Sequence, residues 1–242
     1  MKRLRDVPLA PLTSMGVGGP ARWLVRVRDA EDVRRALADW QGAVWVLGGG
    51  SNVVIADGGL PGLVLQPAGK SVTWSADGVV RAEAGVVWDR LVAASVRRRW
   101  AGIECLSGIP GQVGAAPIQN IGAYGQEVAD VLQSVTAFDR DSGEVVELPA
   151  VDCDFAYRDS RFKRQPERWL VLAVTLRLRP GGAPSLWPEI AMAATPSPSA
   201  ARSSLPAACT ASTCTAAPAA RAQAASASIG DAVPSSWSTA GT

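Results

Sequence analysis

The sequence predicts an α+β protein with two strand-rich halves, followed by a segment that lacks a core of its own. Three observations predict it. Short alternating or continuous apolar runs, the signature of strands, recur through residues 20–180, while only two stretches carry the three-to-four spacing of an amphipathic helix. Beyond Pro180 the composition shifts, and Ala, Ser, Pro and Thr make up roughly two thirds of residues 181–242.

In chain order, Trp23, Val25 and Val27 alternate with Arg22, Arg26 and Arg28, a half-buried strand. Asp29 is placed to cap a helix with Glu31 and Asp32 in its first turn and Val33, Leu37 and Trp40 on one face. Residues 43–47 form a continuous apolar run, hence a buried strand, which ends on Gly48-Gly49-Gly50-Ser51-Asn52, and Val53-Val54-Ile55 predicts a further short strand. Residues 63–65, 71–75 and 79–84 read as strands, with Asp77-Gly78 the turn between the last two. Trp88, Leu91, Val92 and Val96 stripe the second helix, which ends on three arginines, a favourable charge at a helix C-terminus. Residues 135–138, 145–148 and 169–178 complete the strands, with Ser142-Gly143 another turn. A loop near 67–70 divides the halves into 1–68 and 69–180. The remaining 181–242 carries only Glu189, Arg202, Arg221 and Asp231 as charges and almost no Leu, Ile, Val or Phe, so it is expected to be a disordered tail.

Composition excludes whole classes of chemistry. The 242 residues hold 24 Lys and Arg against 22 Asp and Glu, a net charge of +2, which supplies no electrostatic footprint for nucleic acid. With no His, triads with an imidazole base and His-ligated metals are out of reach. Cys105, Cys153, Cys209 and Cys214 have no metal-ligand spacing, so no metal is expected and a reduced, cytoplasmic protein is the simplest reading. The basic N-terminus leads into Pro8 and Pro11 instead of an apolar stretch, and no run of about 20 apolar residues exists, so neither a signal peptide nor a membrane span is expected.

Glycine clusters carry the functional signal. Gly16-Val17-Gly18-Gly19-Pro20-Ala21 formally matches a dinucleotide fingerprint, but Pro8 and Pro11 stand where a strand should precede it and an alternating strand replaces the helix that should follow. Gly48, Gly49, Gly50, Ser51 and Asn52 expose consecutive backbone N–H groups and side-chain donors, suited to a phosphate or diphosphate; the same glycines would equally serve a plain tight turn. The stretch 102–125 is long, glycine-rich and dotted with Ile and Leu. It fits either close approach to a flat heterocycle, with Ser107, Gln119 and Asn120 on its polar edge, or a structural crossover. Arg158 would offer a fork of donors to an oxyanion or carboxylate, or pair with Asp154 or Asp159 at the surface.

Four ordered segments over residues 10–180 resemble one family: Leu12-Thr-Ser-Met-Gly-Val-Gly-Gly-Pro-Ala21, Leu47-Gly-Gly-Gly-Ser-Asn-Val53, the run from Leu106 to Gly125, and Phe155-Ala-Tyr-Arg-Asp-Ser160. The family is the UDP-N-acetylenolpyruvoylglucosamine reductases, flavoproteins with a two-lobed FAD-binding domain of vanillyl-alcohol-oxidase (PCMH) type. The resemblance implies NADPH as hydride donor, FAD as cofactor, a UDP-sugar enolpyruvyl ether as substrate, and a place in cytoplasmic peptidoglycan precursor synthesis. It implies that Gly48, Gly49, Gly50, Ser51 and Asn52 hold the FAD diphosphate and that Ser107, Ile109, Pro110, Gly111, Gly114, Ala115, Asn120 and Gly122 line the cofactor. Arg158 becomes the catalytic arginine facing the substrate carboxylate, with Tyr157 beside the substrate. The family's later Gly-Ser-x-Phe-x-Asn-Pro segment, which brings a proton-donating serine, does not occur here. A frameshifted or truncated reductase is therefore expected, impaired in turnover or reduced to a flavin-binding fragment.

Overall fold

The computed structural model describes residues 2–182, so the segment expected to be disordered lies outside them apart from Gly181 and Gly182. The α+β class holds. Strands β1 (Arg3–Pro8), β2 (Pro20–Val27), β3 (Val44–Val46) and β4 (Leu60–Pro67) form one sheet in the order β1-β2-β4-β3. Helix α1 (Ala30–Leu37) connects β2 to β3, and the pairings β2–β4 and β3–β4 are parallel while β1–β2 is antiparallel. As the sequence predicts, Asp29 caps α1, its carboxylate accepting from the Asp32 N–H at 2.8 Å.

A second sheet is antiparallel throughout. It contains β5 (Val72–Trp74) and β6 (Val79–Glu83), which precede α2 (Trp88–Arg97) and the short β7 (Trp100–Ala101), β8 (Gly122–Ala123) and β9 (Gln126–Glu127). It is completed by β10 (Leu132–Asp139), β11 (Val145–Pro149) and, after α3 (Arg161–Arg164), β12 (Trp169–Arg177), in the order β11-β10-β12-β6-β5. The two-residue β13 (Arg179–Pro180) pairs with β7. Helix α2 buries Trp88, Leu91 and Val92 against this sheet, where they join Val135, Val174 and Leu176.

The two sheets share a core. Phe138 and Leu170 from the second sheet pack with Val25, Leu63 and Leu65 of the first and with Val33 of α1. The opposite face of the first sheet buries Leu24 and Val64 under Leu9, Leu47 and Ile55.

Three expectations are corrected. The strand expected over 53–55 is absent: Ile55 drops into the core, Val54 is 74 % exposed, and the Ala56 carbonyl turns the chain by accepting from the N–H groups of Gly19 and Gly59. The run 43–47 does form a strand over Val44–Val46, but as a sheet edge: Trp45 and Val46 are exposed and line a cavity, while Val44 and Leu47 pack into the cores on the two faces of the sheet. The segment before Gly16 holds β1 despite Pro8, because Pro8 ends an edge strand where a missing N–H costs little.

Candidate functional site

The loop 48–52 leaves β3 at the sheet edge, and its backbone donors are not consumed by the fold. The N–H groups of Gly48, Gly49, Gly50, Ser51 and Asn52 donate to no other described residue. Five successive free N–H groups in a turn make a concave, partially positive surface that suits an anion. Two flanking loops hold this turn in place. On one side the Ser14 N–H donates to the Gly50 carbonyl at 2.9 Å. On the other, Ser51 Oγ donates to the Pro110 carbonyl at 3.4 Å and the Asn52 amide to Gln119 Oε1 at 3.2 Å. Gly50 has φ of +66° and a Cβ there would strike the Leu12 carbonyl, so glycine is required.

This turn forms one wall of a cavity of about 650 Å³, a size typical of cofactor sites. Trp45 and Val46 of β3 continue that wall, and Phe162, Trp169 and Val171 from the second sheet's side stand across from them. Gly114, Ala115 and Gln112 form the floor beside the glycines, while Arg140 and Glu167 line it as its charged residues. A smaller cavity of about 270 Å³ lies between the glycine turn, the Pro11 to Ser14 loop and Gln66, and it shares Gly48, Gly49 and Gln112 with the first. Gln112 Oε1 is buried there without a hydrogen-bond partner among the described residues.

Of the residues expected to line a cofactor, Gly48, Gly49, Gly50, Ser51, Asn52, Gly114 and Ala115 meet at the large cavity. Pro110 and Gly111 support it from behind: a Cβ on Gly49 would stand 3.2 Å from Gly111 Cα. Ser107 is turned away, its hydroxyl donating at 3.0 Å to Asp89, which also accepts from the Gly108 N–H. Ile109 packs against the core of the second sheet.

Asn120, 1 % exposed, is fully engaged inside the protein. Its amide donates to Glu127 Oε2 at 2.7 Å and to the Ala156 carbonyl at 3.0 Å, while its oxygen accepts from the Ala129 N–H. The Gly122 carbonyl accepts from Arg158 Nη2 at 2.6 Å. Neither Arg158 nor Tyr157 borders the large cavity. The surface pairing considered for Arg158 is taken by another residue, since Arg164 binds both Asp154 and Asp159 at 2.6 Å. Arg158 itself sits in a left-handed turn, φ +54°, with its guanidinium 5.9 Å from the ring of Tyr157, which is 82 % exposed.

Trp45, Gln112, Arg140, Phe162, Glu167 and Trp169 are cavity residues that sequence reasoning missed. They sit on separate elements with no local motif in common, and the apolar run that contains Trp45 reads in sequence as a buried strand.

A profile of the FAD binding domain family matches residues 21–149. The chain belongs to the FAD binding domain family. This agrees with a donor-lined turn opening on an apolar cavity. The UDP-N-acetylenolpyruvoylglucosamine reductase of Streptomyces coelicolor is 48 % identical over 182 residues, 74 % of this chain and 47 % of that protein. The reductase of the same name from Pseudomonas aeruginosa is 48 % identical over 177 residues, 70 % of this chain and 52 % of its own. The chain thus spans about half the length of the curated relatives it matches. The crystal structure of UDP-N-acetylenolpyruvylglucosamine reductase from Thermus caldophilus superposes with a TM-score of 0.63 at 34 % identity, covering 79 % of this chain and 66 % of that one. A solvent-stable cholesterol oxidase, 20 % identical with a TM-score of 0.50, shares the fold. Among the described residues no helix is long and apolar enough to cross a membrane, and no group of three or more Cys, Asp or Glu is placed to hold a metal ion.

Proposed function

We propose that this chain is the FAD-holding part of a cytoplasmic UDP-N-acetylenolpyruvoylglucosamine reductase, with 1–68 and 69–180 as the two lobes that clasp the cofactor. The observation that carries the reading is the row of five N–H groups at residues 48–52, without acceptors among the described residues, on the wall of an apolar cavity. The cavity has the size and the mixed apolar and donor lining that a flavin dinucleotide needs. Bound FAD supplies hydride transfer from NADPH to the enolpyruvyl ether of the UDP-sugar.

In this reading Gly48, Gly49, Gly50, Ser51 and Asn52 hold the diphosphate through their backbone, and Gly114 and Ala115 let a flat group approach the floor. Pro110 and Gly111 act from behind, by fixing the wall that Ser51 and Gly49 lean on, and Ser107 and Ile109 anchor the same segment to Asp89 and to the core of the second sheet. Arg158 spends one nitrogen on the Gly122 carbonyl, which fixes the guanidinium. The rest of its fork is proposed to face the substrate carboxylate and to stabilise the charge that builds there, with Tyr157 alongside. Asn120 and Gly122 are proposed to serve the cofactor indirectly, by shaping the turn that carries Arg158.

The chain contains no Gly-Ser-x-Phe-x-Asn-Pro segment to donate a proton. On its own it is therefore proposed to bind FAD with little substrate-dependent NADPH oxidation. The test is the absorption spectrum of the purified chain after incubation with FAD and desalting, followed by NADPH oxidation with and without the UDP-sugar. Retained absorbance at about 450 nm is expected of bound flavin. A colourless protein whose melting is unmoved by excess FAD overturns the reading.

A further inference from the structure

The Gln112 side chain stands directly behind the glycine turn. A Cβ on Gly48 would lie 3.5 Å from Gln112 Oε1, and one on Gly49 would lie 3.6 Å from Gln112 Cγ. Its backbone is fixed by the bridge to Val87, with the neighbouring Val113 N–H donating to the Val86 carbonyl. Yet Oε1 is buried without a donor among the described residues, at the boundary shared by the two cavities. A buried amide oxygen left unpaired is costly and uncommon in a folded protein, so it marks a place where a ligand group completes the structure.

The chemistry of that group follows from its surroundings. Next to Gln112 the turn offers five N–H donors, which suit the oxygens of a diphosphate. Those oxygens are acceptors and cannot satisfy Oε1. Ring N–H groups of a flavin or an adenine lie several bonds further from the phosphorus atoms. The donors closest to a diphosphate in a dinucleotide are the hydroxyls of its ribityl chain and ribose. We propose that Gln112 Oε1 accepts a hydrogen bond from such a hydroxyl, making Gln112 a binding residue that sets the position of the dinucleotide along the glycine turn. This rests on the FAD reading given above.

The test compares the parent chain with Gln112→Met, which keeps the side-chain length and removes the acceptor, and with Gln112→Ala as a second variant. Affinities for FAD, FMN and ADP are measured by titration calorimetry, and melting temperatures without ligand are recorded. FAD affinity is expected to fall about tenfold in both variants. The unliganded melting temperature of Gln112→Met should be unchanged or higher, because an unpaired buried oxygen has been removed. A parallel loss for FMN assigns the hydroxyl to the ribityl chain, and a parallel loss for ADP assigns it to the ribose. Unchanged FAD affinity together with a lowered melting temperature would show a structural amide and overturn the proposal. A parent chain that binds no FAD overturns the functional reading itself, and this proposal with it.

Discussion

Gly49 and Gly111 meet backbone to backbone, so that a methyl group on Gly49 would stand 3.2 Å from Gly111 Cα. The two glycines are far apart in sequence, and their contact brings the edge of the first sheet against the segment that crosses the second. The donors of the 48–52 turn therefore depend on both sheets.

Substitution at this contact separates space from backbone strain. Gly49→Ala requires its neighbour to give by a few tenths of an ångström, and it is expected to weaken FAD binding with a small change in melting temperature. Gly50→Ala combines φ of +66° with a clash against the Leu12 carbonyl, and it is expected to cost about 1–3 kcal/mol of stability. Chemical denaturation of both variants, paired with FAD titration, checks the contrast.

Arg158→Ala removes the donor to the Gly122 carbonyl at 2.6 Å. A loss of about 1 kcal/mol in stability is expected, typical of one hydrogen bond. FAD affinity should stay near the parent value, because Arg158 does not border the large cavity. A flavin-free Arg158→Ala protein would reassign the residue to the cofactor.

Asn120 has three partners and a left-handed backbone, φ +44°. Asn120→Ala removes three hydrogen bonds whose partners keep some access to water, at roughly 0.5–1.5 kcal/mol apiece, and leaves an alanine in the left-handed region. The melting temperature should fall steeply, with flavin loss following from unfolding. A variant that melts like the parent but fails to bind FAD would return Asn120 to the cofactor site.

Acid is expected to loosen both sheets. The Arg28 guanidinium, bound to Asp32 at 2.9 Å, holds the Asp32 carboxyl below the ordinary aspartate range, and Arg168 does the same to Asp139 through two hydrogen bonds of 3.1 and 2.7 Å. A carboxyl with a lowered folded-state pKa contributes stability that is fully present above its unfolded value. That stability declines as pH falls below about 4, the ordinary aspartate value, and is gone once pH passes the lowered value. Melting temperatures recorded from pH 7 to pH 3 should drop in that acid window, and Asp139→Asn should make the drop shallower. An equal drop in the variant and the parent would remove Asp139 from the account.

Local signals determined much of the molecule. The Asp29 cap, the apolar face of α2 and the turns at Asp77-Gly78 and Ser142-Gly143 each lie within a few residues of the structure they specify. The glycine turn was equally legible, because consecutive residues without side chains expose backbone donors wherever the turn ends up. Tertiary structure alone decided that Trp45, Arg140, Phe162 and Trp169 would face one cavity, since no spacing relates residues on separate strands and loops. It also decided between alternatives that the sequence held open. Arg164 took the two aspartates and Arg158 took the Gly122 carbonyl, while the Asn120 amide was consumed within the protein. A side chain's donors and acceptors are fixed by its chemistry, but which partner they reach depends on long-range pairing. Sheet register and core packing set that pairing.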